Sequence, residues 1–166
     1  MKKFAIAVIG SLFLSAVLVS CGPTKEDAIK YNDELIKEQT KVLEAESAIF
    51  DAVTNNPSKL DASFESLKSQ VKESTEAVEK MKAFDGKTDF KDALLKLFTT
   101  FKGLNEKEFA EYISIGKLQG NDFTPEKGDR MISLGKTIDD AVLKANDDFI
   151  KTQKEFAAKY KFELSK

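Results

Sequence analysis

The feature that most constrains the fold is a seven-residue repeat of apolar side chains, which begins shortly after Thr24. Two adjacent apolar rows follow the chain from about residue 25 to 54. The rows are Ala28, Leu35, Val42, Ile49 and Ile29, Ile36, Leu43, Phe50. Steps of three and four residues place side chains on one face of an α-helix, whereas strands need a period of two. The repeat therefore predicts a long amphipathic helix.

The same four-three spacing returns in three later segments, which are separated by turn-forming residues. The breaks are Asn55-Asn56-Pro57, Asp85-Gly86 and Gly120-Asn121-Asp122. The predicted helices span about 25–54, 58–84, 89–119 and 125–162. Helices of this length joined by short loops predict an all-α, up-down-up-down four-helix bundle with left-handed packing.

Polar residues occupy positions where this pattern calls for apolar ones. The centre of the buried face of the first helix carries three polar residues, although buried polar groups are costly unless they are paired. Other polar residues interrupt the stripes of the second and third helices, and the single arginine lies near the start of the fourth. The candidate buried polar network is Asn32, Gln39, Glu46, Ser74, Glu108 and Arg130.

Antiparallel register predicts which members of this network meet. Glu46 and Glu108 should share a layer near the end of the bundle that is remote from the N-terminus, with Arg130 between them. Gln39 and Ser74 should meet in a middle layer. Two interpretations stay open: such groups fix helix register, as a buried Asn does in coiled coils, or they line a pocket for a small polar ligand. The first is favoured.

Two phenylalanines, Phe98 and Phe109, lie on one rim of the third apolar stripe. They could anchor a partner helix in a groove. A widened core face is the favoured interpretation, because soluble helices usually bury broad stripes.

The N-terminus has the pattern of a secretion signal. Lys2 and Lys3 precede an apolar run over residues 4–19. That run is shorter than the roughly 20 residues a membrane-spanning helix needs. A basic start, a short apolar core and small residues before a cut site are typical of a signal peptide.

The end of this segment, Leu18-Val19-Ser20-Cys21, resembles the lipobox of bacterial lipoproteins. The resemblance covers the targeting segment only. It implies removal of residues 1–20, a diacylglycerol thioether on the Cys21 sulfur and often an acyl chain on the new amino group. Two or more acyl chains anchor a protein stably in a membrane. An ordinary secretory signal with a chance cysteine is the less favoured alternative.

On this interpretation residues 21–24 form the lipidated N-terminus and a short tether, and residues 25–166 form the bundle. The resemblance also bears on destination, since Gly22 rather than Asp follows the cysteine. That favours the outer membrane over the inner. Lys25-Glu26-Asp27 loosely resembles a surface-export tag of some lipoproteins, although a charged first helical turn is the favoured interpretation.

Composition narrows the function. The chain has no histidine, and its only cysteine is assigned to lipid. We find no nucleophile elbow, phosphate loop or dinucleotide fingerprint, so no catalytic residue and no cofactor are predicted and the chain is not expected to be an enzyme. Without histidine, a carboxylate-bridged metal site of the Glu-x-x-His type is also disfavoured. Loss of Lys2 and Lys3 takes the net charge from −2 to −4, which argues against nucleic acid as a partner.

The leading hypothesis is therefore a lipid-anchored interaction module of the cell envelope, with an unknown envelope or extracellular protein as partner. A structural or accessory lipoprotein without a discrete ligand is the alternative. Binding of a small polar ligand in the core ranks third. The domain resembles uncharacterised four-helix lipoproteins in pattern only, so no functional residue can be carried over.

Overall fold

The computed structural model describes residues 22–164, and within that range the chain is all-helical, with no strand. The five α-helices are α1 (Lys25–Asn55), α2 (Leu60–Lys80), α3 (Asp89–Glu106), α4 (Glu108–Gly116) and α5 (Pro125–Tyr160). Short 3₁₀ turns lie at Pro57–Lys59 and Gly120–Asp122. The predictions for the signal peptide, the lipobox and Cys21 lie outside the described residues. Among these helices none combines the length and the apolar character needed to cross a membrane.

The two long helices begin at side-chain caps. The Thr24 hydroxyl accepts from the Asp27 backbone N–H at 3.1 Å, and the Asp27 carboxylate accepts from the Thr24 N–H at 2.9 Å. This reciprocal capping box satisfies two N–H groups that a helix start leaves free. Thr124 caps α5, and Pro125 occupies the first turn, where its missing N–H costs nothing.

The predicted third helix, 89–119, is wrong as a single element. The chain leaves helical geometry at Lys107 (φ −136°, ψ −73°), which divides the segment into α3 and α4. Gly103 and Asn105 just before the break are both weak helix formers. After the break the predicted positions Tyr112 and Ile115 are buried, Phe109 beside the stripe is fully buried, and Glu108, predicted on the stripe, is half-buried.

The predicted second helix, 58–84, is too long at both ends. Its C-terminal part becomes a tight turn in which Phe84 and Lys87 exchange two backbone hydrogen bonds of 2.9 Å. Asp85 (φ 53°) and Gly86 (φ 71°) both take left-handed backbone conformations there. Asp and Gly tolerate this region better than other residues, which ends the helix.

The apolar rows interlock in one large core. The row of α1 that begins at Ala28 is fully buried, and it meets buried phenylalanines of the later helices. Those phenylalanines include Phe98, Phe101, Phe109 and Phe149. Burial of Phe98 and Phe109 confirms the widened core face. In this packing α1 lies mainly on α2, and α5 mainly on α3 and α4, whereas α1 and α5 approach each other only sparsely.

Candidate functional site

A ladder of polar side chains fills the sparse seam between α1 and α5. Gln153 Nε2 donates to Asn32 Oδ1 at 2.9 Å, and Gln39 Nε2 donates to Asn146 Oδ1 at 2.5 Å. The interval is seven residues on each helix, and the numbering rises on one while it falls on the other. The two helices therefore run antiparallel with heptad register.

The next step along this ladder differs in chemistry. Seven residues on from Gln39 and seven residues back from Asn146, the register pairs Glu46 with Asp139, and both line one cavity of about 380 Å³. An ionised carboxylate accepts hydrogen bonds and has none to donate. Two amides can satisfy each other across the seam, but two carboxylates cannot.

Glu46 is the unusual residue of the ladder. It is only 9% exposed, and its side chain makes no hydrogen bond or ion pair with any residue in the range 22–164. Burial, with a smaller contribution from the negative charge of Asp139, raises the pKa of Glu46 to about 7. Its carboxyl group therefore lies half-charged against the cavity near neutral pH.

The predicted cluster of Glu46, Glu108 and Arg130 is wrong. Arg130 Nε and Nη2 form a forked pair with the Glu111 carboxylate at 2.7 and 2.6 Å. Hydrogen bonds from this guanidinium hold the pKa of Glu111 below its ordinary value. Glu108 Oε1 lies 3.7 Å from Lys107 Nζ instead, and only its negative charge acts on Arg130.

The predicted contact between Gln39 and Ser74 is also wrong. Ser74, fully buried, donates to Glu38 Oε2 at 2.9 Å and accepts from Gln70 Nε2 at 3.0 Å. Consecutive residues on a helix point about 100° apart. Glu38 therefore faces α2 while Gln39 faces α5, and Ser74 pairs with the residue one position away from the predicted one.

Next to the Glu46 cavity lies a larger apolar groove of about 810 Å³, at the end of the molecule opposite Lys25. We call it the distal groove and define it by Phe50, Val53, Phe123, Ile132 and Leu143. The last three are the exposed large apolar side chains of the described chain, at 42%, 73% and 59% exposure. All three therefore border one surface.

A second cavity, of about 570 Å³, lies at the end of the bundle near Lys25. Aromatic rings form much of its wall, and Tyr31 and Phe84 pack with centroids 5.0 Å apart. The Tyr31 hydroxyl is buried without a partner in the described residues, and burial raises its pKa. Tyr160 closes the rim by donating to Asp85 Oδ2 at 2.9 Å.

Sequence reasoning missed the α5 side of the seam and the distal groove. The first carried a visible signal, because Asp139, Asn146 and Gln153 repeat the seven-residue polar spacing of α1. The second carried a weaker one, because Ile132 and Leu143 are apolar residues one position away from the predicted α5 stripe. Isolated exposed apolar residues are common, so their convergence becomes visible only in three dimensions.

Comparison with known proteins yields no match to a family model, a curated protein or a solved structure. The function is therefore inferred from the chain itself. Across residues 22–164 there is no group of three or more Asp, Glu, Cys or His side chains placed to hold a metal ion.

Proposed function

We propose that this chain is a lipid-anchored lipoprotein of the bacterial envelope, which binds a partner protein through the distal groove and carries out no catalysis. Lipid on Cys21 would hold the domain close to the membrane, because α1 begins only four residues later. We propose the outer membrane, because Gly22 rather than Asp follows the cysteine. We further propose that α3 and α4 act as one broken rod, so that the domain is an up-down-up-down bundle of four rods.

The observation that carries the binding proposal is the convergence of Phe123, Ile132 and Leu143 on one groove. Exposed apolar side chains that are contiguous mark interaction sites more often than scattered ones do. The groove lies at the far end of α1, whose 31 residues span about 46 Å. It would thus face away from the tethering membrane.

The groove also indicates the partner's chemistry. Among the described residues, its apolar floor is bordered by the carboxylates Asp139 and Asp140 and by one cation, Lys136. Such a surface is complementary to an amphipathic segment that has one apolar face and basic residues beside it. We propose a segment of this kind, from an envelope or extracellular protein, as the occupant.

Position-specific photo-crosslinking in intact cells tests the groove. A crosslinking residue at Ile132 should give one discrete adduct with a partner, and the same residue at Lys144, exposed on α5 outside the groove, should not. Leu143→Asp should abolish the adduct at position 132, while Lys144→Asp leaves it. Equal adducts at both positions, or none at Ile132, would support the alternative of an envelope spacer without a discrete ligand.

The anchor is tested separately by Cys21→Ala. The variant should lose the mass of the lipid and move from the membrane fraction to the soluble fraction. The wild-type protein should stay with membranes after washing with high salt and alkali. An unchanged mass and distribution in the variant would refute the lipid anchor and leave the groove proposal standing.

A further inference from the structure

The ladder between α1 and α5 is complete at two levels and incomplete at the third. Asn32 with Gln153 and Gln39 with Asn146 satisfy each other through amide hydrogen bonds. Glu46 and Asp139 supply acceptors and no donor when both are ionised. A buried acceptor without a partner is costly. Asp139 is exposed, and no side chain in residues 22–164 donates a hydrogen bond to Glu46, so this level can accept a donor from a bound group.

We propose that the cavity at Glu46 and Asp139 binds the cationic nitrogen head of an alkyl chain, such as a lysine side chain. This inference rests on the proposed function, because the lysine would belong to the segment that occupies the adjoining distal groove. It names the chemical group that the partner presents, and it assigns Glu46 as its receptor.

The cavity wall fits both parts of such a group. Leu43, Phe50 and Val142 provide apolar surface for a methylene stem. Carboxylate oxygens from two helices and the second lone pair of Asn146 Oδ1 provide acceptors for three N–H donors. Pairing a buried carboxylate with a cation also offsets the desolvation cost of its ionisation.

The cavity adjoins the distal groove, since Phe50, Asp139 and Leu143 border both. A lysine of a segment in the groove would therefore lie next to the cavity. The charged groups around the joined site are Glu46, Asp139, Asp140 and Lys136. Their net charge is negative, which favours a cationic occupant over an anionic one.

Calorimetric titration of the full chain in detergent micelles tests this inference. The probes are pentylammonium chloride and an 18-residue amphipathic helical peptide with a central lysine. The neutral counterparts are 1-pentanol and the same peptide with norleucine in place of lysine. The cationic probe should ionise Glu46, so titrations at pH 7 in two buffers of different ionisation enthalpy should show release of about half a proton.

Single substitutions test whether Glu46 and Asp139 bind the cationic probe. Glu46→Gln should weaken binding of the lysine peptide about ten- to hundredfold and abolish proton release, since a hydrogen bond to a charged group is lost. Asp139→Asn should weaken it as well. Glu44→Gln, exposed on the same helix, should change neither quantity. Equal binding of lysine and norleucine peptides, or proton release that survives in Glu46→Gln, would overturn the inference.

The outcomes distinguish a failure of this inference from a failure of the proposed function. They also distinguish a free amine from a lysine side chain of a partner protein. Norleucine peptide bound at the groove without a preference for lysine would leave the partner proposal intact and refute the ammonium site. Pentylammonium bound at Glu46 while neither peptide binds would support the ammonium site for a free amine and refute the groove as a docking surface. Lysine peptide bound far more tightly than pentylammonium would assign the amine to a partner protein.

Discussion

At the scale of single residues, position 46 is where the pairing between α1 and α5 changes from two amides to two carboxylates. Buried amides that pair across a helix seam cost little stability and fix which residues face each other. A buried carboxylate facing another carboxylate has no such compensation. Such sites are commonly functional, because perturbed carboxyl groups in cavities are the groups that bind or react.

The raised pKa of Glu46 predicts a pH-dependent stability. Its ordinary value is 4.5 and its value in the fold is about 7, so the folded chain holds an extra proton between these limits. The stability that protonated Glu46 contributes is fully present below about pH 4.5 and is lost as the pH rises through about 7. Glu46→Gln should therefore be more stable than the unchanged chain at pH 8, by on the order of 2 kcal/mol, and equal to it near pH 4.

Urea denaturation of both chains across this pH range measures the difference. Glu44→Gln serves as the matched control and should show no pH-dependent gain. A gain in Glu46→Gln that is the same at pH 4 and pH 8 would contradict the assignment of the raised pKa to this residue.

The amide pair between Gln39 and Asn146 predicts a non-additive double substitution. Gln39→Leu alone leaves the Asn146 amide without its partner and should cost about 1–3 kcal/mol of the free energy of unfolding. Adding Asn146→Leu should recover much of that loss, because two apolar side chains then meet. A double-mutant cycle measures the coupling, and strictly additive costs would argue against the pair.

At the scale of elements, the break at Lys107 separates α3 from α4 within the predicted third helix. The predicted positions Tyr112 and Ile115 stay buried, and Phe109 beside them is buried as well. Glu111, rather than Glu108, pairs with Arg130 and joins α4 to the start of α5. Just before the break the Asn105 Oδ1 atom is buried and has no hydrogen-bond partner within residues 22–164. The local geometry therefore favours core packing over full polar satisfaction.

Two helical glycines should respond oppositely to alanine. A Cβ at Gly103 in α3 would meet open space, whereas one at Gly116 in α4 would lie 3.2 Å from Met131 Cε and 3.3 Å from Leu60 Cδ1. Gly103→Ala should raise the free energy of unfolding by about 0.5–1 kcal/mol, because alanine favours helix. Gly116→Ala should give a smaller gain or a loss. Thermal denaturation measures the stability of both variants. A larger gain for Gly116→Ala than for Gly103→Ala would refute the close packing described around Gly116.

At the scale of the whole molecule, the start of α1, where the proposed tether would be attached, and the distal groove lie at opposite ends of that helix. The proposed lipid anchor therefore implies an orientation with the groove far from the bilayer. The chain has one cysteine, Cys21, which the lipid would occupy. A single added cysteine can consequently be labelled alone.

This orientation predicts distance-dependent energy transfer to a dye in the membrane surface. A fluorophore on Lys161→Cys, just past the end of α5 and close to the proximal end, should transfer efficiently. One on Phe123→Cys should transfer weakly, because α1 separates the two levels by about 46 Å. Equal transfer from both sites in vesicles would indicate a domain that lies flat on the bilayer.

Sequence alone was sufficient for the all-helical class, the starts of α1 and α5 and the buried polar row on α1. These features arise from local causes: apolar spacing, capping side chains and turn residues act within a few positions of each other. Burial of Asn32, Gln39 and Glu46 follows from the same repeat, since three polar residues lie at the centre of its apolar face.

Only the tertiary structure decided which polar side chains pair with each other. Ser74 meets Glu38 rather than Gln39 because a one-residue change rotates a side chain by about 100°, a step that layer counting cannot resolve. Arg130 meets Glu111, which lies three residues after the predicted Glu108. The break at Lys107 and the sparse approach of α1 to α5 are likewise compromises of packing among several helices. Contact between surfaces that are distant along the chain created the distal groove and the Glu46 cavity, so the local spacing on each helix does not by itself show that they meet.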